Sequence, residues 1–241
     1  KYWLTFNEIN MILHLPYMAA GLTFREGEDP GQACYAAAHH ELLASALAVE
    51  LAHKIDPDNR VGCMLAAGNT YPYSCNPQDV LAGLLADRES FFFTDVQVRG
   101  YYPAYALKKL EREQVRVPAQ AGDEEILRRG TVDFVSFSYY NSMVASSDPA
   151  VQATKKGNIF ATVENPYLKC SEWGWSIAPL GLCGLGQRQF RRDAQALRLC
   201  LCGRRRALRR AADQVPEAVL RLVQAGHRLW RGGLVMQLGL V

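Results

Sequence analysis

The sequence predicts an α/β fold built on a parallel sheet, because three short apolar segments alternate with segments of helical composition. The apolar segments open the chain at residues 1–6 and recur at residues 60–67 and 132–137. The stretches between them contain runs of the Ala, Leu and charged residues that favour helices. Strands that alternate with helices in this way usually lie parallel to one another in one sheet.

The first helix is predicted over residues 32–54, which are rich in Ala and Leu and contain neither Gly nor Pro. Asp29-Pro30 marks its start, since Pro is tolerated in the first helical turn. The polar cluster at residues 55–59 marks its end as a turn. The apolar run that follows, at residues 60–67, has the continuous pattern of a strand buried on both faces.

After residue 67, the sequence predicts three helices, a strand and a long loop. A helix is predicted over about residues 76–92, where Pro follows the first position, and shorter helices are predicted over residues 102–114 and 123–129. The third strand covers residues 132–137. Residues 141–172 lack regular periodicity, and a loop of that length in a compact domain usually has a function.

A carboxylate stands at the end of the first predicted strand. The apolar and aromatic segment at residues 1–6 is predicted to be a buried strand, and it stops at Asn7-Glu8. Enzymes built on parallel α/β barrels carry their catalytic residues at the carboxyl ends of the strands. Glu8 is therefore a candidate catalytic acid, with Asn7 as a candidate hydrogen-bonding residue for the substrate. The alternative is a structural role, in which Glu8 caps the segment that follows.

Three segments carry motifs that recur in the same order in one enzyme family. They are Thr5-Phe-Asn-Glu8, the strand-like segment at residues 133–142 and the Ser-Glu-Trp-Gly-Trp sequence at residues 171–175. Together they resemble glycoside hydrolase family 1, the retaining β-glycosidases. Within that family, Ser138 and the segment at residues 171–175 resemble the bacterial 6-phospho-β-glucosidases. The similarity extends from residue 1 to about residue 182.

The resemblance implies a particular fold. Family members are (β/α)8 TIM barrels, and this chain resembles about strands 4 to 6 of such a barrel with their helices. We expect no counterpart of the first three strands, because the motif of the fourth strand already lies at residues 5–8. The expected organisation is a partial TIM-barrel glycosidase domain at residues 1–182, followed by an Arg-rich divergent tail at residues 183–241.

The resemblance also implies an activity and a set of site residues. It indicates a cytoplasmic enzyme that hydrolyses the O-glycosidic bond of phosphorylated β-glucosides without a cofactor. Glu8 would be the acid/base, and Asn7 would bind the sugar 2-hydroxyl. Tyr140 matches the family tyrosine that hydrogen-bonds the nucleophile, and Trp175 matches an aromatic residue on the leaving-group side. An ordinary core role is the alternative for both aromatic residues.

The catalytic nucleophile of the family is not recognisable in the sequence. Retaining glycosidases use a second carboxylate about 5–5.5 Å from the acid/base, which family members carry in a Glu-Asn-Gly segment on the seventh strand. This chain contains no Glu-Asn-Gly, and its Glu164-Asn165 pair precedes a Pro that fits a central strand poorly. We therefore expect negligible hydrolysis by the isolated chain. The alternative to an enzyme is a non-catalytic product with weak sugar binding or non-specific nucleic-acid binding.

The charge of the chain changes abruptly near residue 182. Residues 1–182 hold 15 Lys and Arg against 21 Asp and Glu, whereas residues 183–241 hold 12 Arg, no Lys and three acidic residues, a formal charge of +9. We interpret this change as a reading-frame change or sequencing error at about residue 182, and the alternative is a genuine fused basic segment. The positive charge of residues 183–241 would attract nucleic-acid phosphates. The segment contains only two aromatic residues on which bases could stack, Phe190 and Trp230, so a nucleic-acid partner is not expected.

Composition argues against several other classes of protein. The chain is 49% hydrophobic and 21% charged, which is typical of a globular domain, and no apolar run is long enough to predict a membrane span. Its seven irregularly spaced cysteines favour free thiols in a reducing cytoplasm. His39-His40-Glu41 begins like a zinc-protease helix, but Ala44 occupies the place of the second His. We therefore expect neither a metal nor a cofactor.

Overall fold

The structure is a computed structural model that describes residues 1–157 and 160–178 and the backbone of residues 198–199. The strands are β1 (Tyr2–Leu4), β2 (Arg60–Ala67), β3 (Thr70–Pro72), β4 (Phe134–Tyr139), β5 (Met143–Ala145) and β6 (Arg198–Leu199). The helices are α1 (Pro16–Ala20), α2 (Pro30–Ile55), α3 (Pro77–Arg99), α4 (Ala104–Arg112), α5 (Asp123–Arg129) and α6 (Pro149–Gln152), and a 3-10 helix covers Ile9–Leu13. Apart from β6, the predicted tail at residues 183–241 lies outside the described residues.

Parallel pairing is present in both sheets. The strands of the larger sheet follow the order β1-β2-β4-β6, and β3 pairs with β5 in a second sheet. β1 and β2 are parallel, with Trp3 opposite Val61. β3 and β5 are also parallel, with Thr70 opposite Met143. The prediction of an α/β fold with parallel strands is confirmed.

The chain forms two compact units, and each of them holds part of the predicted site. The first unit contains Lys1–Ala66 and Phe91–Phe137. The second contains Ala67–Ser90 and the described residues at 138–157 and 160–178. Glu8 thus belongs to the first unit, and the predicted aromatic site residues belong to the second.

Helix α2 organises the core of the first unit. Asp29 caps its N-terminus, where Asp29 Oδ1 accepts hydrogen bonds from the backbone N–H groups of Gly31 and Gln32 at 2.8 and 3.3 Å. The buried face of α2 joins an apolar cluster made of Ile9, Ile12, Cys34, Tyr35, Ala38, Leu42, Ala46, Phe92, Phe93, Val96, Ala106, Leu110 and Leu127. Full burial of a large apolar side chain contributes about 1.5–3 kcal/mol. The cluster therefore holds the 3-10 helix, which follows Glu8, against α2.

The prediction that the first strand is buried is wrong. Tyr2 and Trp3 are 46% and 51% exposed, whereas Val61 and Cys63 of the neighbouring strand are buried. The reason is that β1 is the edge strand of the described sheet, next to β2. The apolar composition of a strand does not reveal whether it lies at the edge or in the middle of its sheet.

The structure differs from the prediction at the end of α3 and within the predicted loop at residues 141–172. Helix α3 continues to Arg99, beyond the predicted end near residue 92. Its last turns supply Phe92, Phe93 and Val96 to the core cluster, and this burial favours the longer helix. The predicted loop at residues 141–172 contains β5 and the short helix α6.

The cysteines of the described residues are free thiols. Cys34 and Cys63 are buried, and Cys75 and Cys170 are exposed. The other cysteines of the sequence lie outside the described residues. Every described helix is too short or too polar to cross a membrane.

Candidate active site

Glu8 follows β1 in an unusual backbone conformation. Its φ and ψ are 50° and 55°, which is the left-handed region. Among the described residues other than glycine, only Gln114 shares a positive φ. This conformation costs an L-amino acid roughly 1–2 kcal/mol, and Glu8 is also 7% exposed. Residues held in such strained conformations cluster at active sites, so the backbone independently marks Glu8 as a candidate catalytic residue.

The segment before Glu8 is attached to both β2 and α2. The Thr5 N–H donates a hydrogen bond to the Gly62 carbonyl at 3.3 Å, which continues the pairing of β1 with β2. The Thr5 and Ser45 hydroxyls are hydrogen-bonded at 2.9 Å, which connects the strand end to α2. Two independent contacts therefore fix the chain three residues before the candidate acid.

The segment after Glu8 is attached by Asn10, which the sequence analysis did not identify. Asn10 is 7% exposed, and its side-chain amide exchanges hydrogen bonds with the backbone of Ala66 at the end of β2. The Glu8 carbonyl also accepts a hydrogen bond from the Met11 N–H at 2.8 Å, which closes the first turn of the 3-10 helix. A polar Asn within the apolar run Ile9–Leu13 is the signal that could have identified this residue.

Asn7 differs from Glu8 in its accessibility. Asn7 is exposed, whereas Glu8 next to it is buried. A buried carboxyl beside an exposed amide at the end of a strand fits a site with one reacting group and one group that binds the substrate. The roles assigned to these two residues by resemblance stay predictions.

Tyr140 and Trp175, the other two predicted site residues, lie together in the second unit. Their ring centroids are 6.2 Å apart with the rings edge to face. Phe160, which the sequence analysis did not identify, contacts both: it stacks on Tyr140 at 5.2 Å and meets Trp175 edge to face at 5.5 Å. Such ring pairs are favourable geometries for aromatic side chains.

Asn141 holds this aromatic cluster in place. Its Nδ2 donates a hydrogen bond to the Phe160 carbonyl at 3.3 Å, and its Oδ1 accepts one from the Ser176 N–H at 2.7 Å. Asn141 is 3% exposed and follows Tyr140 directly in the chain. One buried amide thus connects the three chain segments that carry Tyr140, Phe160 and Trp175.

Ionisable groups outside the predicted site have structural contacts. His39 is buried between Tyr102 and Asp123, with Nδ1 2.9 Å from the Tyr102 hydroxyl and Nε2 3.1 Å from the Asp123 carboxylate. A backbone hydrogen bond from Gln120, followed by the hydrogen bond from His39, lowers the pKa of Asp123.

Glu41 is a second ionisable group outside the predicted site, and burial raises its pKa to about 7. Within the described residues, no group of three or more His, Cys, Asp or Glu side chains could hold a metal ion.

Comparison with known proteins connects this geometry to a family. A sequence model of glycosyl hydrolase family 1 matches residues 1–191, most of the chain. The chain belongs to glycosyl hydrolase family 1. The resemblance carried by the three sequence motifs is therefore confirmed.

Two curated relatives are similar to this family 1 chain over 182 residues. The 6-phospho-beta-glucosidase AscB of Escherichia coli (strain K12) is 56% identical, and the aryl-phospho-beta-D-glucosidase BglH of Bacillus subtilis (strain 168) is 52% identical. The similarity covers 76% of this chain in both cases, but 38% and 39% of the two relatives. This chain thus spans less than half the length of the curated relatives that it matches.

A solved structure supports the same fold. The crystal structure of a beta-glucosidase from Exiguobacterium marinum matches with a TM-score of 0.63 at 24% sequence identity, over 82% of this chain and 44% of that chain. The fold predicted from the family 1 resemblance, part of a (β/α)8 TIM barrel, is confirmed.

Proposed function

We propose that residues 1–182 are part of a retaining β-glycosidase that hydrolyses 6-phospho-β-glucosides. The observation that carries this proposal is the buried, left-handed Glu8 at the end of β1, in a chain of glycosyl hydrolase family 1. The names of the two curated relatives support the substrate, since one is a 6-phospho-beta-glucosidase and the other an aryl-phospho-beta-D-glucosidase. The names agree on a phosphorylated glucoside and leave the leaving group open.

Glu8 is assigned the role of acid/base. Its carboxyl protonates the glycosidic oxygen while a second carboxylate attacks the anomeric carbon and forms a glycosyl-enzyme. The resulting Glu8 carboxylate then takes a proton from the water that hydrolyses this intermediate. The contacts of Thr5 and Asn10 on either side of Glu8 support this role, because a catalytic group that is already held in place needs little reorganisation during the reaction.

Three further residues are assigned to the active site around Glu8. Asn7 is proposed to bind the sugar 2-hydroxyl, which agrees with its exposed position beside Glu8. Tyr140 is proposed to hydrogen-bond the nucleophile, and Trp175 to line the leaving-group side. Their contact with each other through Phe160 supports a shared role in one aromatic wall.

The isolated 241-residue chain is expected to have negligible activity. Its sequence contains no Glu-Asn-Gly segment, and a retaining mechanism without a nucleophile lacks the covalent step. We propose that the glycosidase part ends near residue 182 and that residues 183–241 are an Arg-rich divergent tail, which a reading-frame change or sequencing error at about residue 182 would explain. The extent of the similarity supports a boundary in this region, since the two curated relatives match over 182 residues and the family model ends at residue 191. We also propose a cytoplasmic location, which the free thiols of the described cysteines support.

A chimeric enzyme tests the function directly. Residues 1–182 would replace the matching 182 residues of the Escherichia coli relative, and hydrolysis of p-nitrophenyl β-glucoside 6-phosphate would be compared with that of its unphosphorylated counterpart. We expect turnover of the phosphorylated substrate only. Glu8→Gln should lower kcat by roughly 10²–10⁴-fold, the usual contribution of general acid–base catalysis. Glu124→Gln changes an exposed carboxyl in the same unit as Glu8 and serves as the matched control.

The chimera tests the acid/base and the substrate class, and the isolated chain tests whether a nucleophile is present. A folded chimera that hydrolyses the phosphorylated substrate equally well with and without Glu8→Gln would contradict the assignment of the acid/base. Preference for the unphosphorylated substrate would contradict the substrate class. Robust turnover by the isolated chain, lost in Glu8→Gln, would show that the chain supplies its own nucleophile, and Glu164 and Glu172 would be tested first.

A further inference from the structure

A small cavity lies within the second unit, lined by parts of helix α3, strands β3 and β5 and the chain segments at residues 152–155 and 161–162. Its volume is about 260 Å³, below the roughly 300–1,000 Å³ of pockets that hold drug-sized ligands. Neither Tyr140 nor Trp175 lines it, and every lining residue belongs to the second unit. The cavity is therefore made of other residues than the candidate active site, and it suits only a small molecule.

Small side chains on α3 leave this space open. A Cβ added to the buried Gly83 would lie 3.4 Å from the Thr70 carbonyl oxygen, so α3 approaches β3 closely at this point. Ala82 and Ala86, one helical turn apart, line the cavity beside this contact. All three residues of β5 also line it, so much of its surface is apolar.

The cavity wall contains a buried hydroxyl without a partner, that of Thr70. Thr70 is 4% exposed, and within the described residues its Oγ1 forms no hydrogen bond. Its backbone N–H donates to Asp87 Oδ1 at 2.9 Å, which holds the residue in place. A buried hydroxyl without a hydrogen bond is unfavourable. A ligand group that pairs with Thr70 would remove this cost.

A single cation lies at the solvent side of the cavity. Among the described lining residues, Lys155 is the one charged side chain. Lys155 is exposed and takes part in no ion pair within the described part of the chain. The backbone beside it is fixed, because Lys156 and Thr162 exchange two hydrogen bonds of 3.0 Å. The cavity thus presents a positive charge that no acidic side chain neutralises.

We propose that this cavity binds a small hydroxylated organic anion, such as a polyol phosphate or a hydroxy acid. The Lys155 ammonium attracts the anionic group at the solvent side, and a ligand hydroxyl pairs with the buried Thr70 hydroxyl. A hydroxyl both donates and accepts, so it can pair with Thr70 in either direction. A purely apolar ligand would leave Thr70 without a partner.

This site goes beyond the proposed function. None of its residues is assigned a role in glycoside hydrolysis, and the site stands whether or not the chain is part of a glycosidase. Binding to the full chain tests it without any turnover, so its failure would leave the proposed function untouched.

Four ligands show which chemistry the cavity recognises. Glycerol 3-phosphate carries both hydroxyls and an anion, propyl phosphate lacks the hydroxyls, and glycerol lacks the anion. Glycerate carries a carboxylate in place of the phosphate. In titrations followed by calorimetry or ligand-observed NMR, we expect glycerol 3-phosphate to bind more tightly than propyl phosphate and glycerol. The ratio of its affinity to that of glycerate shows which anionic group the site prefers.

Thr70→Val and Lys155→Gln each remove one of the two proposed contacts. Val has the shape of Thr, and Thr70→Val should weaken glycerol 3-phosphate by roughly two- to tenfold, the range of one hydrogen bond, without affecting propyl phosphate. Lys155→Gln should weaken both phosphates by roughly two- to fivefold, because exposed charge pairs are weak. Lys156→Gln is the matched control, since it removes the same charge from a residue outside the cavity lining. It should leave all affinities unchanged.

Filling the cavity gives an independent test. Ala86→Leu should abolish binding of glycerol 3-phosphate, with circular dichroism verifying that the variant keeps its fold. Unchanged affinity in the folded variant would show that the anion binds elsewhere and would overturn the proposal. If Ala86→Leu does not fold, the Thr70 and Lys155 variants decide.

Three other results would also overturn the proposal. Equal affinities for glycerol 3-phosphate and propyl phosphate would show that the site recognises no hydroxyl. Equal effects of Lys155→Gln and Lys156→Gln would indicate a general attraction of anions to positive charge, to which the 12 Arg of residues 183–241 contribute. Failure of all four ligands to bind would show that the cavity is not a binding site for this class of molecule.

Discussion

Asn10 and Ala66 exchange two hydrogen bonds at the end of β2. Asn10 Nδ2 donates to the Ala66 carbonyl at 2.9 Å, and Asn10 Oδ1 accepts from the Ala66 N–H at 3.0 Å. A side-chain amide thus pairs with both polar groups of one backbone residue, as a neighbouring strand would. The exchange attaches the segment after Glu8 to the sheet and helps to hold Glu8 in its left-handed conformation.

Replacing Asn10 should therefore destabilise the chain. Asn10→Ala leaves the N–H and C=O of Ala66 without their partner, and unsatisfied buried groups cost about 1–3 kcal/mol each. We expect the free energy of unfolding to fall by roughly 2–4 kcal/mol, measured by urea denaturation. Asn7→Ala, at an exposed position in the same segment, should change it by less than about 0.5 kcal/mol. Equal denaturation midpoints for the two variants would contradict the role of Asn10.

The Asp79 carboxylate in the second unit is surrounded by hydrogen-bond donors that lower its pKa. Its carboxylate accepts hydrogen bonds from the Ser147 N–H at 2.7 Å and from the hydroxyls of Ser74, Ser146 and Ser147 at 2.6, 3.1 and 2.9 Å. The Ser147 backbone hydrogen bond, followed by that of Ser74, lowers the pKa of Asp79 to about 2. Asp79 itself is buried, so its ionised form depends on these donors.

The lowered pKa of Asp79 predicts a pH dependence of stability. An unfolded Asp has a pKa near about 3.9, so between about pH 4 and pH 2 the unfolded chain binds more protons at this position than the folded chain. The stabilisation from Asp79 is complete above that range and is lost as the pH falls through it. Asp79→Asn should therefore flatten the decline of the melting temperature between pH 4 and pH 2. Asp148→Asn, which alters the exposed cap of α6, is the control, and an unchanged slope in Asp79→Asn would refute the prediction.

Two buried threonines should respond oppositely to the same substitution. Thr70 and Thr162 are both buried, but within the described residues Thr70 Oγ1 has no hydrogen-bond partner. Thr162 Oγ1 accepts from the Val144 N–H at 2.7 Å. Thr70→Val should raise the free energy of unfolding by up to about 1 kcal/mol, and Thr162→Val should lower it by about 1–3 kcal/mol. Thermal unfolding of both variants measures this, and a shift of the same sign in both would disprove it.

Much of the fold follows from local sequence patterns. Asp29-Pro30 and the turn at residues 55–59 predict α2 to within a few residues, because capping and turn residues act on their immediate neighbours. The end of α3 could not be predicted in the same way. Its last turns are stabilised by burial of Phe92 and Phe93 against residues distant in the chain, which local propensity does not report.

The sequence likewise predicted some residues of the candidate site and not others. The end of the first predicted strand identified Glu8 and Asn7. Motif resemblance added Tyr140 and Trp175, and it named the family that the comparisons confirm. The residues that hold these side chains were missed. Phe160 lies in a stretch without periodicity, and its role is visible only once its ring is seen stacked on Tyr140.

The sequence by itself determined the family, the alternation of strands and helices and the position of the candidate acid, because motifs and caps are read from neighbouring residues. Only the tertiary structure decided that Glu8 is buried in a left-handed conformation, that β1 is an edge strand and that Asn10 pairs with Ala66. Asn10 and Ala66 are 56 positions apart in the chain. Burial and hydrogen bonding between such distant positions depend on how the elements pack, and no local pattern of residues records that packing.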